Sequence, residues 1–186
     1  AQRKARWALK RNPGEPLPPD EIAAINLFTQ ETPYYAELNR IMRDRNRDGL
    51  KPFFPLLKLM LAGLHRLPHN NGRTVHRGVK LDFSGKYKKD DEFCWWSFSS
   101  ATRNISVLKS PQFCGTTGPR TIFSVAVTRG VDIKNYSAVP GEDEILLLPG
   151  SVFEVSGTLQ MDDGLTIVTV REICDDPPLL TGFAFA

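Results

Sequence analysis

The sequence predicts an α+β domain in which N-terminal helices pack on a β-sandwich-like core of roughly six to eight short strands. Three observations predict it. Up to about residue 70, apolar side chains recur at helical spacing; from Gly72 onward the chain reads as short runs rich in Val, Ile, Phe, Trp and Thr. The two textures do not alternate, which excludes a doubly wound sheet. The chain has 186 residues, 41 % of them apolar, with 11 Phe, 4 Tyr and 3 Trp, enough for one domain with a sizeable core and too few for two. A single domain is expected over 1–186, helical over 1–70 and β-rich over 71–186.

Taken in order, Ala1–Arg11 is basic with one Trp, and Asn12-Pro-Gly ends it. Ile22, Ile25 and Phe28 then recur at helical spacing behind Asp20 and Glu21, acids that suit a first turn. Thr32-Pro33 is an N-cap with proline at the first helical position. From there Tyr34, Leu38 and Ile41 line one face, and Arg40, Arg43 and Arg47 lie towards the other. A further helix is expected from about Pro52 to Leu67, with Leu57, Leu61 and Leu64 inward and Pro68 as its stop. Strands are expected over Thr74–Val79, Phe93–Phe98, Thr121–Thr128, Glu144–Leu148, Ser151–Gln160 and Leu165–Ile173. Met161-Asp-Asp-Gly joins the last two as a hairpin.

The net charge is +3, too small for a strongly basic nucleic-acid binder. It hides an asymmetry: residues 1–80 hold 15 basic and 7 acidic side chains (+8), residues 81–186 hold 9 and 14 (−5). The Arg faces of the helices lack the interleaved aromatics of a single-strand binder, so they read as solvated. Cys94, Cys114 and Cys174 are scattered, with no C-x-x-C pair, and imply neither a disulfide framework nor a zinc knuckle. Phe53 to Leu64 is the longest apolar stretch and is too short for a membrane span. The chain begins at Ala1 without the apolar run of a signal peptide, as a mature form or excised domain would. Its address is therefore open between the cytosol and a secreted or delivered form, and a monomer is expected. Asn104-Ile-Ser and Asn135-Tyr-Ser are formal glycosylation acceptors, too short to decide the compartment.

Some motifs fail. Asp44-Arg-Asn-Arg-Asp-Gly49 starts like a calcium loop, but Pro55 stands where the bidentate Glu belongs and Arg45 and Arg47 oppose a cation. His65 and His69 are separated by a helix-breaking proline, so no metal is expected. Gly115-Thr-Thr-Gly lacks the Lys-Ser/Thr ending of a phosphate loop.

Three segments carry chemistry together. Val75-His-Arg77-Gly78 places an arginine in mid-strand, whose partner is either a carboxylate of the same protein or a phosphate, with Gly78 allowing close approach. Phe93-Cys-Trp-Trp-Ser-Phe98-Ser-Ser100-Ala-Thr102 runs an aromatic strand into small hydroxyls, either a Ser/Thr turn or a device that orients a carboxylate. Pro140-Gly-Glu142-Asp-Glu144-Ile-Leu-Leu-Leu148 takes an acidic cluster into an apolar strand. It is either a solvated turn or, if extended, two glutamates on one side with Cα atoms roughly 6.5–7 Å apart.

The order Arg-Gly, aromatic-x-Ser-x-Thr, Glu-x-Glu resembles the Arg-Ser-Glu branch of the mono-ADP-ribosyltransferases, which includes cholera-like and actin-modifying toxins and the vertebrate ectoenzymes. Thr32–Leu67 is similar to the family's helical preface, and Trp95–Thr102 and Glu142–Val155 are similar to its core strands. The resemblance implies an ADP-ribosyltransferase-like fold that uses NAD (or NADP) as substrate and modifies arginine on an acceptor protein, in a toxin or effector among other settings. It implies that Arg77 grips the NAD pyrophosphate and the Gly78 backbone holds the nicotinamide carboxamide. Ser99 or Ser100, with Thr102, fills the place of the family's Ser-Thr-Ser motif, and Ser100 matches its first serine. Glu144 matches the catalytic glutamate, Glu142 the residue that marks arginine as acceptor, and Phe113 an aromatic beside the nicotinamide. Asn135–Asp143 becomes the loop that presents the acceptor.

Elementary chemistry supports the two glutamates. Cleaving nicotinamide from ribose develops positive charge, which a carboxylate at the 2′-hydroxyl stabilises, as Glu144 would. A guanidinium is a poor nucleophile and needs a second carboxylate to orient it and take its proton, as Glu142 would. The competing readings are an NAD glycohydrolase with water as acceptor, and a non-catalytic module acting through the basic helices.

Overall fold

The computed structural model describes residues 17–30, 32–44, 47–70 and 72–174; the expected helix over Ala1–Arg11 and the Arg47 side chain lie outside them. Helix α1 (Pro19–Phe28) opens with proline and carries Asp20 and Glu21 in its first turn. Helix α2 (Pro33–Arg43) is capped as expected: the Thr32 hydroxyl accepts the Tyr35 N–H at 3.5 Å. Leu38 and Ile41 are buried, but Tyr34 is exposed and leans on Phe53 with ring centroids 4.8 Å apart.

A short α3 (Arg47–Leu50) precedes the helix expected from about Pro52, which begins as a 3₁₀ turn (Lys51–Phe53) and continues as α4 (Phe54–Arg66), Pro52 and Pro55 each removing a backbone donor. Helices α1 and α4 pack closely at Gly63, where a Cβ would lie 3.1 Å from Ile25 Cδ1. Arg66 pairs there with the buried Glu21.

Eight strands follow: β1 (Thr74–Val79), β2 (Glu92–Trp95), β3 (Ser99–Thr102), β4 (Arg120–Ala126), β5 (Val131–Asp132), β6 (Glu144–Leu147), β7 (Ser151–Gln160) and β8 (Leu165–Ile173). They form one sheet of order β2-β7-β8-β4-β1-β3-β6-β5, with β4 and β8 parallel and the other pairs antiparallel. The strand expected over Phe93–Phe98 ends at Trp95, and the small hydroxyl residues beyond it form β3, a strand of its own.

Chain length dictates the shape of this sheet. Strands β2 and β3 sit five strand spacings apart, about 24 Å if flat. Only three residues join Trp95 to Ser99, a reach of at most about 14 Å. Between β6 and β7 the same span is again crossed by three residues, Leu148–Gly150. The sheet must therefore curl, with one two-stranded ribbon bending at both links to serve both halves. Side chains agree: Trp95 on β2 lies 5.4 Å from Phe123 on β4, three spacings away in strand order. That curl gives the expected sandwich character.

Strand alternation then sorts two cores. Ile145 and Leu147 of β6 join Ala101, Val75, Phe123, Phe153 and Val168 inside the curl. Leu146, together with Phe98, Val131, Ile133 and Tyr136, faces the helices and packs on Ile22, Ile25, Phe28 and Leu38. Glu144 is two residues from Leu146, so it too points to the helical side.

Candidate active site

Strands β1 and β3 pair at one position, His76 opposite Thr102. Beyond it they part, and the gap opens into a cavity of about 840 Å³. Its walls come from β1 and the residues after it (76–81), β3, the end of α1, Tyr35 of α2, Leu108 and Phe113, and the segment from Ala138 to Glu144. The volume falls in the range of small-molecule sites.

Register builds the polar floor. Thr102 faces Glu144 directly across β3 and β6, and Ser100 is its diagonal neighbour on the same face. The Ser100 hydroxyl donates to Glu144 Oε1 at 2.7 Å. Ser137 donates to Oε2 at 2.9 Å. Glu144 is 5 % exposed, and no ion pair among the described residues involves it. Burial pushes its pKa up, against the pull of the two serine hydrogen bonds. Ser99, the other serine expected at the cofactor, alternates to the opposite side, pairs with Leu147 and does not border the cavity. Alternation, invisible while residues 99–102 read as a turn, separates the two serines.

Arg77 crosses the gap. Its Nη1 donates to the Ser100 carbonyl at 2.9 Å, and its guanidinium carbon lies 6.0 Å from the Trp95 ring centroid. Among the described residues no carboxylate pairs with it. Burial pushes its pKa down, with Tyr35 opposing and the Arg43 cation adding to the effect; an arginine stays charged regardless. Of the two partners left open by the sequence, the internal carboxylate is the one this structure does not provide.

Gly78 borders the cavity through its backbone. Its missing side chain serves packing, because a Cβ would lie 2.7 Å from Cys114 Cβ. Phe113 borders the cavity from the loop after the 3₁₀ turn Ile105–Lys109. Thr102 also borders it, but its hydroxyl is occupied: it donates to the Glu142 carbonyl at 2.6 Å and accepts the Asn104 N–H at 3.0 Å.

Glu142 corrects an expectation. Residues 142–144 are not extended: Glu142 ends a 3₁₀ turn (Pro140–Glu142), and Asp143 has φ 48°. Asp143 Oδ1 lies 3.1 Å from Lys134 Nζ and 3.9 Å from Arg103 Nη1. The glutamates share the cavity through this turn and the Thr102 bond, not through strand alternation.

Two features of the site escaped sequence reading, one behind Glu144 and one on the cavity wall. Ser137, 1 % exposed, precedes Glu144 by seven residues within a loop, a spacing with no periodic signature. His76 stands beside Arg77, with a buried Nδ1 that has no hydrogen-bond partner and a pKa pushed down by burial. Among the described residues no three His, Cys, Asp or Glu gather as metal ligands.

The sequence model of the family described as NAD:arginine ADP-ribosyltransferase matches residues 1–176. The chain belongs to that family. The erythroblast NAD(P)(+)–arginine ADP-ribosyltransferase of Gallus gallus is 29 % identical over 162 residues, covering 82 % of this chain and 51 % of that protein. The T-cell ecto-ADP-ribosyltransferase 2 of Mus musculus is 30 % identical over 129 residues, 69 % of this chain and 43 % of that protein. The chain spans about half the length of the curated relatives it matches. Among solved structures, the ADP-ribosyltransferase HopU1 of Pseudomonas syringae superposes with a TM-score of 0.73 at 22 % identity, covering 90 % of this chain and 83 % of that one. The α+β architecture with a curled sheet is thus the ADP-ribosyltransferase fold. No helix among the described residues is long and apolar enough to cross a membrane.

Proposed function

We propose that this chain transfers ADP-ribose from NAD to the guanidinium of an arginine on an acceptor protein and releases nicotinamide. The observation that carries the reading is a pair of charges at one cavity with no counter-charge among the described residues: half-buried Arg77 without a carboxylate and buried Glu144 without a cation. Arg77 offers its planar fork to the pyrophosphate of the dinucleotide. Phe113 and the Gly78 backbone border the place for nicotinamide.

Glu144, fixed by Ser100 and Ser137, accepts a hydrogen bond from the ribose 2′-hydroxyl. It sets negative charge where positive charge grows as the ribose C1′–nicotinamide bond breaks. Glu142 orients the incoming guanidinium and takes its proton as the new C1′–N bond forms. Thr102 positions the Glu142 turn. Residues 1–186 act as one catalytic domain, for Phe28, Thr29, Gln30 and Tyr35 of the helical part complete the cavity walls.

The test incubates the chain with labelled NAD and an arginine analogue, with mass spectrometry of the product. Analogue carrying ADP-ribose, together with released nicotinamide, is the expected result. Nicotinamide release without transfer would leave a glycohydrolase. No release and no NAD binding would leave a non-catalytic module.

A further inference from the structure

Glu144 is fixed from two sides, and the second side leads to the first helix. Asn26 and Thr29 stand at the C-terminal end of α1, more than 100 residues from the segment they touch. Asn26, 2 % exposed, donates its Nδ2 to the Tyr136 carbonyl at 2.8 Å. The Thr29 hydroxyl accepts the Ala138 N–H at 2.9 Å and donates to the Asn26 carbonyl at 2.9 Å. These bonds flank Ser137 on both sides. Ser137 is anchored by its own N–H to the Ile133 carbonyl at 2.8 Å, and its hydroxyl accepts the Val139 N–H at 3.2 Å while donating to Glu144. Gln30 occupies the remaining Asn26 oxygen at 3.1 Å.

We infer that Asn26 and Thr29 are positioning residues for Glu144: the end of the first helix clamps residues 136–138 and so sets where Ser137 holds the Glu144 carboxylate. The inference rests on the proposed transfer reaction for its kinetic consequence, but its geometry does not depend on that reaction. Thr29 borders the cavity, yet both hydrogen-bonding capacities of its hydroxyl that the clamp needs are filled within the protein. With its one proton committed to the Asn26 carbonyl, it has none to donate to the dinucleotide. A displacement of about 1 Å at a catalytic group costs on the order of 10²-fold in rate without weakening ground-state binding.

Three variants separate this role from general stability. Thr29→Val keeps the shape and removes the hydroxyl. Asn26→Asp keeps the shape and faces a carbonyl with an acceptor. Thr29→Ser restores the hydroxyl. Expected for Thr29→Val and Asn26→Asp is a fall in kcat for nicotinamide release of about 10-fold or more, with the KM for NAD within about 2-fold and recovery in Thr29→Ser. In a cycle with Ser137→Ala, Thr29→Val should add almost nothing. Titration of Glu144 by side-chain NMR on isotope-labelled protein reads the clamp without any turnover. Losing the Ser137 bond should move the Glu144 pKa further up in Ser137→Ala and Thr29→Val, but not in Thr29→Ser. An unmoved titration in Thr29→Val and Asn26→Asp, or fully additive kinetics in the cycle, would overturn the inference. A wild-type chain that binds no NAD would instead defeat the transferase reading and leave the titration to decide the clamp.

Discussion

Two glutamates stand buried at strand ends, Glu144 at the start of β6 and Glu172 near the end of β8, in opposite company. Glu172 pairs with Arg129 at 3.0 Å and accepts the backbone N–H groups of Thr128 and Arg129 at 2.8 and 2.9 Å. Glu144 has two neutral hydroxyls. The arginines divide the same way: Arg120 is paired with Asp163 at 2.6 Å and two carbonyls, while Arg77 has one carbonyl. Burying an ion costs several kcal/mol unless it is paired. Compensated charge thus fastens the fold at 120/163 and 129/172. At the cavity, uncompensated charge is complementary to a ligand that carries the opposite signs.

Substitutions at the two glutamates break this contrast most sharply. Glu144→Gln should lower both arginine transfer and NAD cleavage by at least about 10³-fold, and yet stabilise the apo protein at neutral pH. The sign follows from the raised pKa: the folded state binds the Glu144 proton more tightly than the unfolded chain, so stability falls as pH rises through the folded pKa. Calorimetry should show a higher Tm for Glu144→Gln near pH 8 and a gap that closes below about pH 4. Glu172→Gln should do the reverse, lowering the apo Tm by removing the carboxylate charge that faces Arg129. A neutral Glu172→Gln would break the comparison.

Next in size, Glu142→Gln should reduce arginine transfer about 10²-fold while nicotinamide release into water persists. Equal loss of both, in parallel assays on one preparation, would contradict the division between the glutamates. The arginines sharpen the contrast further. Saturating NAD should raise the wild-type Tm by about 5–10 °C. Arg77→Ala should lose most of that rise with little change in the apo Tm. Arg120→Ala should lower the apo Tm and keep the rise.

The smallest effect is a shift in pH profile. Glu144 must be ionised to act, so activity falls as pH drops through its pKa. Ser100→Ala removes a hydrogen bond that pulls that pKa down, and the acidic limb should move to higher pH.

What could be read in the sequence follows from which constraints are local. Strands Thr74–Val79, Ser151–Gln160 and Leu165–Ile173 carry their own alternation and turn punctuation, and the structure has these bounds. Thr32-Pro33 starts a helix through its own side chain and ring. Residues 99–102 show no strand signal because Ser, Ser, Ala and Thr gain their pairing from β1 and β6, far away in sequence. The same distance hid which serine meets Glu144. Of the two readings open for Glu142–Glu144, the extended one fails at Asp143, whose φ of 48° has no signature in the local sequence. Ser137, Asn26 and Thr29 are ordinary polar residues whose role exists only across the fold. Arg77 and Glu144 were legible as chemistry; their lack of counter-charges was not.

The three-residue links Trp96–Phe98 and Leu148–Gly150 are the gauge of the whole arrangement. The first is threaded through the interior: Ser97 and Phe98 are buried, and Phe98 rests against Phe28 at 5.0 Å. A circular permutant opened between Trp95 and Ser99 would keep every strand ladder but lose one tether that brings β2 to β3. Lengthening either link slackens the curl without deleting a single contact residue. Most surface loops of a domain tolerate insertion because they hold nothing taut; these two hold the β2–β7 pair to the β3–β6 pair, as a hinge pin holds the two halves of a shell.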